Sequence, residues 1–302
     1  MAQETVQVSV PSPESRTAPR PVTVLHCSDL HFGAGFQWER LHSLAEHIEK
    51  LRPDAVIVSG DLTMRARKEQ FIAARRFLDG IRSPLIVIPG NHDVPLYNLA
   101  RRFLTPFHNY QKYIGDLGAE PLYLPGVAIY GMNTVNPFRH QEGIIRPRDL
   151  EAVEDWLRRQ PPDVWRIVVT HQHFANVPHH ERPGVIPGAA GILRRLSEAG
   201  AHAVLCGHTH APHVSSSAEF FPELPRPLAL VYAGTATSKR MRGLVPVNTF
   251  NLFCFHPDRF VVSGCDYTPD CSQFAACREF TFDRAFFGEQ LPAGQSGQSL
   301  PA

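Results

Sequence analysis

The sequence predicts an α/β fold with a two-layered sheet in a single domain, and three observations point there. Short, nearly continuous apolar runs of strand length alternate with segments whose apolar residues recur at helical spacing. The runs lack the polar alternation of a half-solvated sheet, which is the mark of parallel strands covered on both faces by helices. From residue 227 onward the helical segments stop and strand follows strand.

Taken in order, residues 22–28 form the first buried strand, and Leu41, Leu44, Ala45, Ile48 and Leu51 mark the first helix. Residues 55–59 are the second strand, followed by a helix carried by Phe71, Ala74, Phe77 and Leu78. Residues 84–88 are the third strand, and 98–113 read as one helix beside the site described below. Then come a strand at 127–131, a helix near 147–159, a strand at 166–170, a helix near 189–199 and a strand at 203–206. The last three runs, 228–233, 249–255 and 259–264, are expected to form an antiparallel extension. No repeat with a period of 20 to 50 residues is visible. Residues 1–20, rich in Pro, Ser and Thr, read as a disordered leader, 21–286 as the folded domain, and 287–302 as a disordered tail.

Composition narrows the function. The chain has 302 residues, 43% hydrophobic and 10% aromatic, enough for a sizeable core. Thirty Lys and Arg against 29 Asp and Glu give a formal charge of +1, which argues against a protein whose main task is coating nucleic acid, although a local basic patch stays open. No apolar run approaches the ~20 residues needed to span a bilayer, and the first residues have no secretory character, so a cytoplasmic location is expected. Six Cys are too few for a disulfide scaffold. The 16 His are the conspicuous number, because imidazole is both the commonest metal ligand and the usual proton carrier near neutral pH.

Those His gather where an α/β sheet binds ligands, just beyond the carboxyl ends of strands. The first strand runs into Asp29 and His31, the second into Gly60 and Asp61, the third into Gly90, Asn91, His92 and Asp93. The 166–170 strand runs into His171 and His173, and the 203–206 strand into Gly207, His208 and His210. Carboxylates and imidazoles packed together repel or stay protonated unless a divalent cation joins them. Mixed nitrogen and oxygen donors without thiolate suit Zn, Mn or Fe better than Ca or Mg. Asp29, His31, Asp61, Asn91, His171, His208 and His210 make seven donors, too many for one ion with an open position and suited to two ions sharing a carboxylate. Glycines before Asp61, Asn91 and His208 allow the backbone to turn tightly there.

This ordered set, Asp29-x-His31, Gly60-Asp61, Gly90-Asn91-His92-Asp93, His171 and Gly207-His208-x-His210, resembles the calcineurin-like metallophosphoesterases over residues 22–265. The resemblance implies a four-layer α/β/β/α sandwich of two mixed sheets flanked by helices. It implies that Asp29, His31 and His210 bind one metal, that Asn91, His171 and His208 bind the other, and that Asp61 bridges them. His92 would face the phosphoryl group as the catalytic imidazole, with Asp93 orienting its ring. Two divalent ions (Mn, Fe or Zn, with Mn the most active in vitro) would activate a water for in-line attack on phosphorus. Among members of the superfamily, Met64 stands where purple acid phosphatases place a Tyr, and Asp93 where phosphoprotein phosphatases carry Glu. The chain is most similar to bacterial cyclic-nucleotide and glycerophosphodiester phosphodiesterases, which makes a small phosphodiester the expected substrate. A pyrophosphatase acting on UDP-diacylglucosamine, with Phe286 and Phe287 holding acyl chains, is the related alternative. A phosphomonoesterase and a non-catalytic scaffold of the same fold are further ones.

Around this set, Asn91, His92, His173 and Arg240 are candidate substrate contacts, with His173 equally readable as a surface residue. Lys239, Arg240 and Arg242 form a basic cluster that could hold a second phosphate or form a solvated turn. His26 reads as a hydrogen-bonded core residue, and His179, His180 and His213 as exposed loop residues, with the 177–188 loop a possible roof over the cleft. Cys27 and Cys206 read as small core residues, and the spacing of Cys265, Cys271 and Cys277 matches no zinc site. A homodimer is compatible with the sequence.

Overall fold

A computed structural model describes residues 20–118, 120–176, 184–242 and 246–289. The first sheet holds β1 (Val22–Cys27), β2 (Ala55–Val58) and β3 (Leu85–Val87) in parallel. It continues on the other side of β1 with β10 (Thr249–Phe255), β11 (Arg259–Thr268) and β12 (Gln273–Asp283), all antiparallel to their neighbours. The second sheet holds β4 (Leu122–Leu124), β5 (Val127–Gly131), β6 (Trp165–Val169), β7 (Ala203–His210), β9 (Ala229–Gly234) and β8 (His213–Ser216), in that spatial order. Strands β5, β6, β7 and β9 run parallel, so β9 is not part of an antiparallel extension as its sequence suggested. Only β10 to β12 form that extension.

Side chains of a strand point alternately to its two faces, and three layers of core result. Between the sheets lie Val24, Ile57 and Ile86 from one and Ile129, Ile167, Val169, Leu205 and Val231 from the other, with Phe253, Phe260 and Phe282 filling one end. Leu25, Cys27, Val56 and Val58 face outward onto α1 (Trp38–Leu51) and α2 (Lys68–Asp79) through Leu44, Ile48, Phe71, Ala74 and Leu78. On the far side, Ala128, Val168, Val204 and Leu230 meet α5 (Pro147–Arg158) and α6 (Ala189–Glu198) through Leu150, Val153, Trp156, Leu193 and Leu196. The order is helix, sheet, sheet, helix, the four-layer sandwich expected.

Residues 98–113 are two short helices, α3 (Leu99–Leu104) and α4 (His108–Tyr113), rather than one. Pro106 falls between them and cannot continue a helical hydrogen-bond ladder. The folded body also extends beyond residue 286. Phe287 is buried against Trp165 and Phe260, with ring centroids 5.8 and 6.0 Å away. Glu289 is ion-paired to Arg284 at 2.7 Å and Arg166 at 2.9 Å. Phe286 packs on the same inter-sheet core. The two aromatic rings thus serve the sandwich, which removes the support they lent to an acyl-binding role. His213 lies half-buried in β8 rather than in an exposed loop, while His179 and His180 lie outside the described residues. His26 is a core residue as expected, 2.8 Å from Ser59 Oγ, with burial pushing its pKa down to about 3. All six Cys are free. Among the described residues no helix is long and apolar enough to cross a membrane.

Candidate metal centre and catalytic cleft

Both sheets end at one edge, and each contributes to the site. From the first come Asp29 and His31 after β1, Asp61 after β2 and Asn91 after β3. From the second come His171 after β6, and His208 and His210 within β7, whose register against β9 shifts between Cys206 and His210. That shift carries the strand four residues past its expected end and brings both imidazoles round to the edge. The loop after β9 ties the halves together. Thr235 Oγ1 donates to the Asp29 carbonyl at 2.7 Å, Thr237 Oγ1 to that of Leu30 at 2.6 Å, and Ala236 N–H to that of Ser28 at 3.1 Å.

Local backbone is unusual here. Asp29, His31, Asp61, His208 and His210 all have φ between 53° and 66°, in the left-handed region that side-chain-bearing residues seldom adopt. Such conformations persist only where their surroundings enforce them, and they cluster at functional sites. The loops are also pressed together. A Cβ on Gly207 would stand 1.9 Å from Ser28 Oγ, and one on Gly90 2.2 Å from both N and Oδ1 of Asp61, so only glycine fits at either point.

Asp29, His31, Asp61 and His210 are fully buried, and one donor atom from each lies within 4.8 Å of the others. Nε2 of His31 and Nε2 of His210 are 3.0 Å apart, with Asp29 Oδ1 3.0 Å from His210 Nε2 and 3.5 Å from His31 Nε2. The Nδ1 of His210 donates to the Arg240 carbonyl at 2.7 Å, which leaves Nε2 presenting a lone pair. Asp29 Oδ1 is buried and has no hydrogen-bond partner. Buried acceptors turned on one another call for a cation between them.

The second group is similar. His171 Nε2 is 3.4 Å from Asp61 Oδ1 and 3.1 Å from Asn91 Oδ1, while its Nδ1 is fixed by the Ser59 carbonyl at 2.8 Å. His208 Nδ1 is 2.8 Å from the same Asn91 oxygen. The other oxygen of Asp61, Oδ2, is 3.6 Å from His31 Nε2. Asp61 therefore turns one oxygen to each group. Burial opposes charge on His171, yet the Asp61 carboxylate raises its pKa to about 9. A positive charge, proton or metal, belongs in that gap. The donor set fits divalent metal at both groups.

His92 is buried beside this centre, its ring 4.8 Å from that of His31. Asp93 does not orient it, contrary to expectation. The Asp93 carboxylate instead accepts from the N–H groups of Gly90, Leu62 and Thr63 and from the Thr63 hydroxyl, at 2.8–3.1 Å, bracing the β2 and β3 loops. Nδ1 of His92 donates to the Met64 carbonyl at 2.9 Å, and Arg65 donates to the same carbonyl at 2.8 Å. Nε2 of His92 therefore points away with its lone pair 3.4 Å from an Arg240 nitrogen. Burial lowers the pKa of His92, and Arg240 and Arg65 push the same way against the pull of Asp61.

Of the other candidates, Arg240 is at the site, while Arg242 touches it through its backbone N–H, 3.1 Å from the His210 carbonyl. His173 is buried, not a surface residue, and its ring stacks on His208 at 5.5 Å. Two residues at the site were missed. Arg65 shares the Met64 carbonyl with His92, and the His140 ring sits 5.8 Å from that of His92. Arg65 follows the Gly60-Asp61 block closely enough to have been suspected; His140, in a loop after β5, carries no local signal.

A fold of two mixed sheets, with donors for two ions at their common edge, defines a class of metal-dependent phosphoester hydrolases. The family model for calcineurin-like phosphoesterases matches residues 22–212, and the chain belongs to that family. It is 40% identical over 80 residues to the glycerophosphodiester phosphodiesterase GpdQ of Enterobacter lignolyticus, covering 22% of this chain and 28% of that one. It is 28% identical over 211 residues to a cAMP/cGMP dual specificity phosphodiesterase of Mycobacterium tuberculosis, covering 64% of this chain and 63% of the other. The matches to these curated relatives thus span less than two thirds of their lengths. Among solved structures, the fold is shared with the purple acid phosphatase PPD1 of yellow lupin (TM-score 0.66, 13% identity, 96% of this chain and 59% of that one). It is shared also with a dimetal phosphatase of Danio rerio (TM-score 0.61, 13% identity, 87% and 99%).

Proposed function

We propose that this phosphoester hydrolase acts on a small phosphodiester, such as a cyclic nucleotide, with two divalent ions (Mn, Fe or Zn). Asp29, His31 and His210 would hold one ion, Asn91, His171 and His208 the other, and Asp61 would join them. The observation that carries this is the Asp61 carboxylate, whose oxygens face the two groups separately. When bound, such ions polarise phosphoryl oxygens and acidify water near neutral pH.

The chain's own residues supply the rest. Arg65 and Arg240, either side of His92, offer guanidinium donors to the phosphoryl oxygens, where charge builds as the bond to the leaving group breaks. His92 Nε2 faces the same space with its lone pair, fixed by the Met64 carbonyl, and would take the proton released by the attacking water and pass it to the leaving oxygen. Thr63 and Asp93 keep the loop carrying these groups rigid. Support for a diester over a monoester comes from the two phosphodiesterase relatives.

The test is turnover of bis-p-nitrophenyl phosphate against p-nitrophenyl phosphate by metal-stripped protein refilled with Mn, with metal content measured. Two ions per chain and preference for the diester are expected. Preference for the monoester would make the protein a phosphatase. Two bound ions with no turnover on any phosphoester would indicate a scaffold.

A further inference from the structure

A second cleft, of about 560 Å³, is linked to the metal centre through Arg65, which lines it and also reaches His92. Its lining comes from the loop after β2, the start of α2, the 95–98 segment, and both short helices α3 and α4. Arg65, Arg67, Lys68, Arg101 and Lys112 converge there against one carboxylate, Glu69. None of these five cations is in an ion pair with a described residue, whereas Arg75, Arg158 and Arg195, on the outer surfaces of the same domain, each are. Arg67, Lys68, Arg101 and Lys112 are all exposed. Five cations left uncompensated in one concavity repel each other, and an anion relieves that cost.

Arg65 connects this cleft to the reaction centre. One of its nitrogens lies 3.1 Å from His92 Nδ1, and its guanidinium carbon is 5.9 Å from the centre of the Tyr97 ring. Tyr97 is 77% exposed at the cleft wall and offers a free ring face. The cleft floor is built, not adventitious: Asn109 of α4 donates to the Ala66 carbonyl at 2.9 Å, tying α4 to the loop after Asp61. The net charge of +1 conceals this local field, because acidic residues elsewhere balance it.

We infer that the cleft binds a second phosphate group carried by the substrate, so that the preferred substrate is a linear nucleotide diester bearing a further phosphate. The aromatic ring of Tyr97 suits an adjoining base, since stacking on tyrosine tolerates any base. This rests on the phosphodiesterase reading and narrows it. A 3′,5′-cyclic mononucleotide has a single phosphate and leaves the cleft empty.

The experiment compares the dinucleotides ApA and 5′-phosphorylated pApA. In the Mn-loaded protein, kcat/KM for pApA is expected to exceed that for ApA by about tenfold or more, a modest return for one charge-assisted phosphate contact. In Arg67→Gln/Lys112→Gln that ratio falls toward one, and in Glu69→Gln it rises. A parallel binding measurement uses the metal-free protein in chelator, where no turnover occurs. There pApA should bind more tightly than ApA, its affinity should fall steeply with salt, and the double variant should lose the difference. Equal binding of the two dinucleotides by the metal-free wild type, or a double variant that retains the difference, overturns the inference whatever the activity. Failure of every diester to turn over, with the binding difference intact, would instead remove the phosphodiesterase reading and leave the anion cleft standing. Melting temperatures of the variants, all exposed substitutions, report whether folding is intact.

Discussion

Asp61 is the residue through which one substitution reaches both halves of the centre, because its two oxygens serve different groups. Asp61→Asn keeps the shape but removes the negative charge and leaves one acceptor oxygen in place of two. It is expected to lower metal content below two per chain and kcat/KM by more than about 100-fold, beyond the loss typical of residues behind the ligands. Elemental analysis together with kinetics checks this. His92→Ala is the contrasting change: metal content should stay at the wild-type level while kcat drops about 10²- to 10⁴-fold, the usual contribution of a positioned proton donor. Loss of both ions in that variant would contradict the position of His92 beside, and not within, the donor groups. The seven residues that gather at the common edge of the sheets were legible in the sequence because each follows an apolar run by a few residues. What surrounds His92 was not. The Met64 carbonyl that fixes its ring, the Arg65 beside it and the diversion of Asp93 to backbone N–H groups depend on how the β2 and β3 loops face each other, which no local spacing encodes.

At the scale of elements, the ends of β1 and β7 are packed without space for one carbon. Gly207→Ala would force Ser28 and Asp29 apart, since its Cβ meets them at 1.9 and 2.6 Å. The expected result is a stability loss of about 1–3 kcal/mol, as for an overpacked core, together with weakened metal binding at Asp29. Thermal melts with and without Mn would show both; an unchanged melt in each condition would refute the close approach. Strands β1, β2, β5, β6 and β7 were readable because buried parallel strands are continuous apolar runs. Strand β12 was not, because it is an edge strand with only Phe274 and Phe282 buried among Gln273–Asp283 and charged residues such as Arg278 and Glu279 between them. Charge of that kind protects a sheet edge from pairing with other chains, and it also erases the apolar pattern. The direction of β9 was misread for another reason: strand order along a sheet is a tertiary property.

At the scale of the whole molecule, the chain is closed by its last described residues. Glu289 lies among Arg284, Arg166, Arg226 and His202, joining the segment after β12 to β6 and to the turns before β7 and β9. Burial alone would raise the Glu289 pKa, but the hydrogen bonds from His202 and Arg284 outweigh it and hold it at about 2. His202 is neutral for the opposite reason. Burial lowers it to about 4, its Nδ1 accepts from Arg166 N–H at 3.0 Å, and its Nε2–H is 3.1 Å from Glu289. Both groups bind protons more weakly folded than unfolded, so both contribute stability that declines with acid. The His202 part is lost as pH falls from its unfolded value of about 6.5 toward 4, and the Glu289 part from about 4.5 toward 2. Glu289→Gln should melt several degrees lower at pH 7, reflecting about 1–2 kcal/mol, and the gap to wild type should close below pH 3. A constant gap from pH 7 to pH 2 would refute the ionic role. The same accounting applies to metal. Chelation should lower the melting temperature reversibly, by the amount that RT ln(1 + [metal]/Kd) implies, about 4 kcal/mol at a thousandfold excess over Kd.

The division of the centre between the sheets has a consequence for how the protein comes to life. Asp29, His31, Asp61 and Asn91 belong to the first half of the sandwich, and His171, His208 and His210 to the second. Each group of donors draws members from both, so neither half can assemble one before the sheets have docked. A chain still emerging from synthesis, or one that has closed its layers out of register, holds no competent site and can cut nothing. An ion held at either group would therefore join the two halves across the seam where the sheets meet.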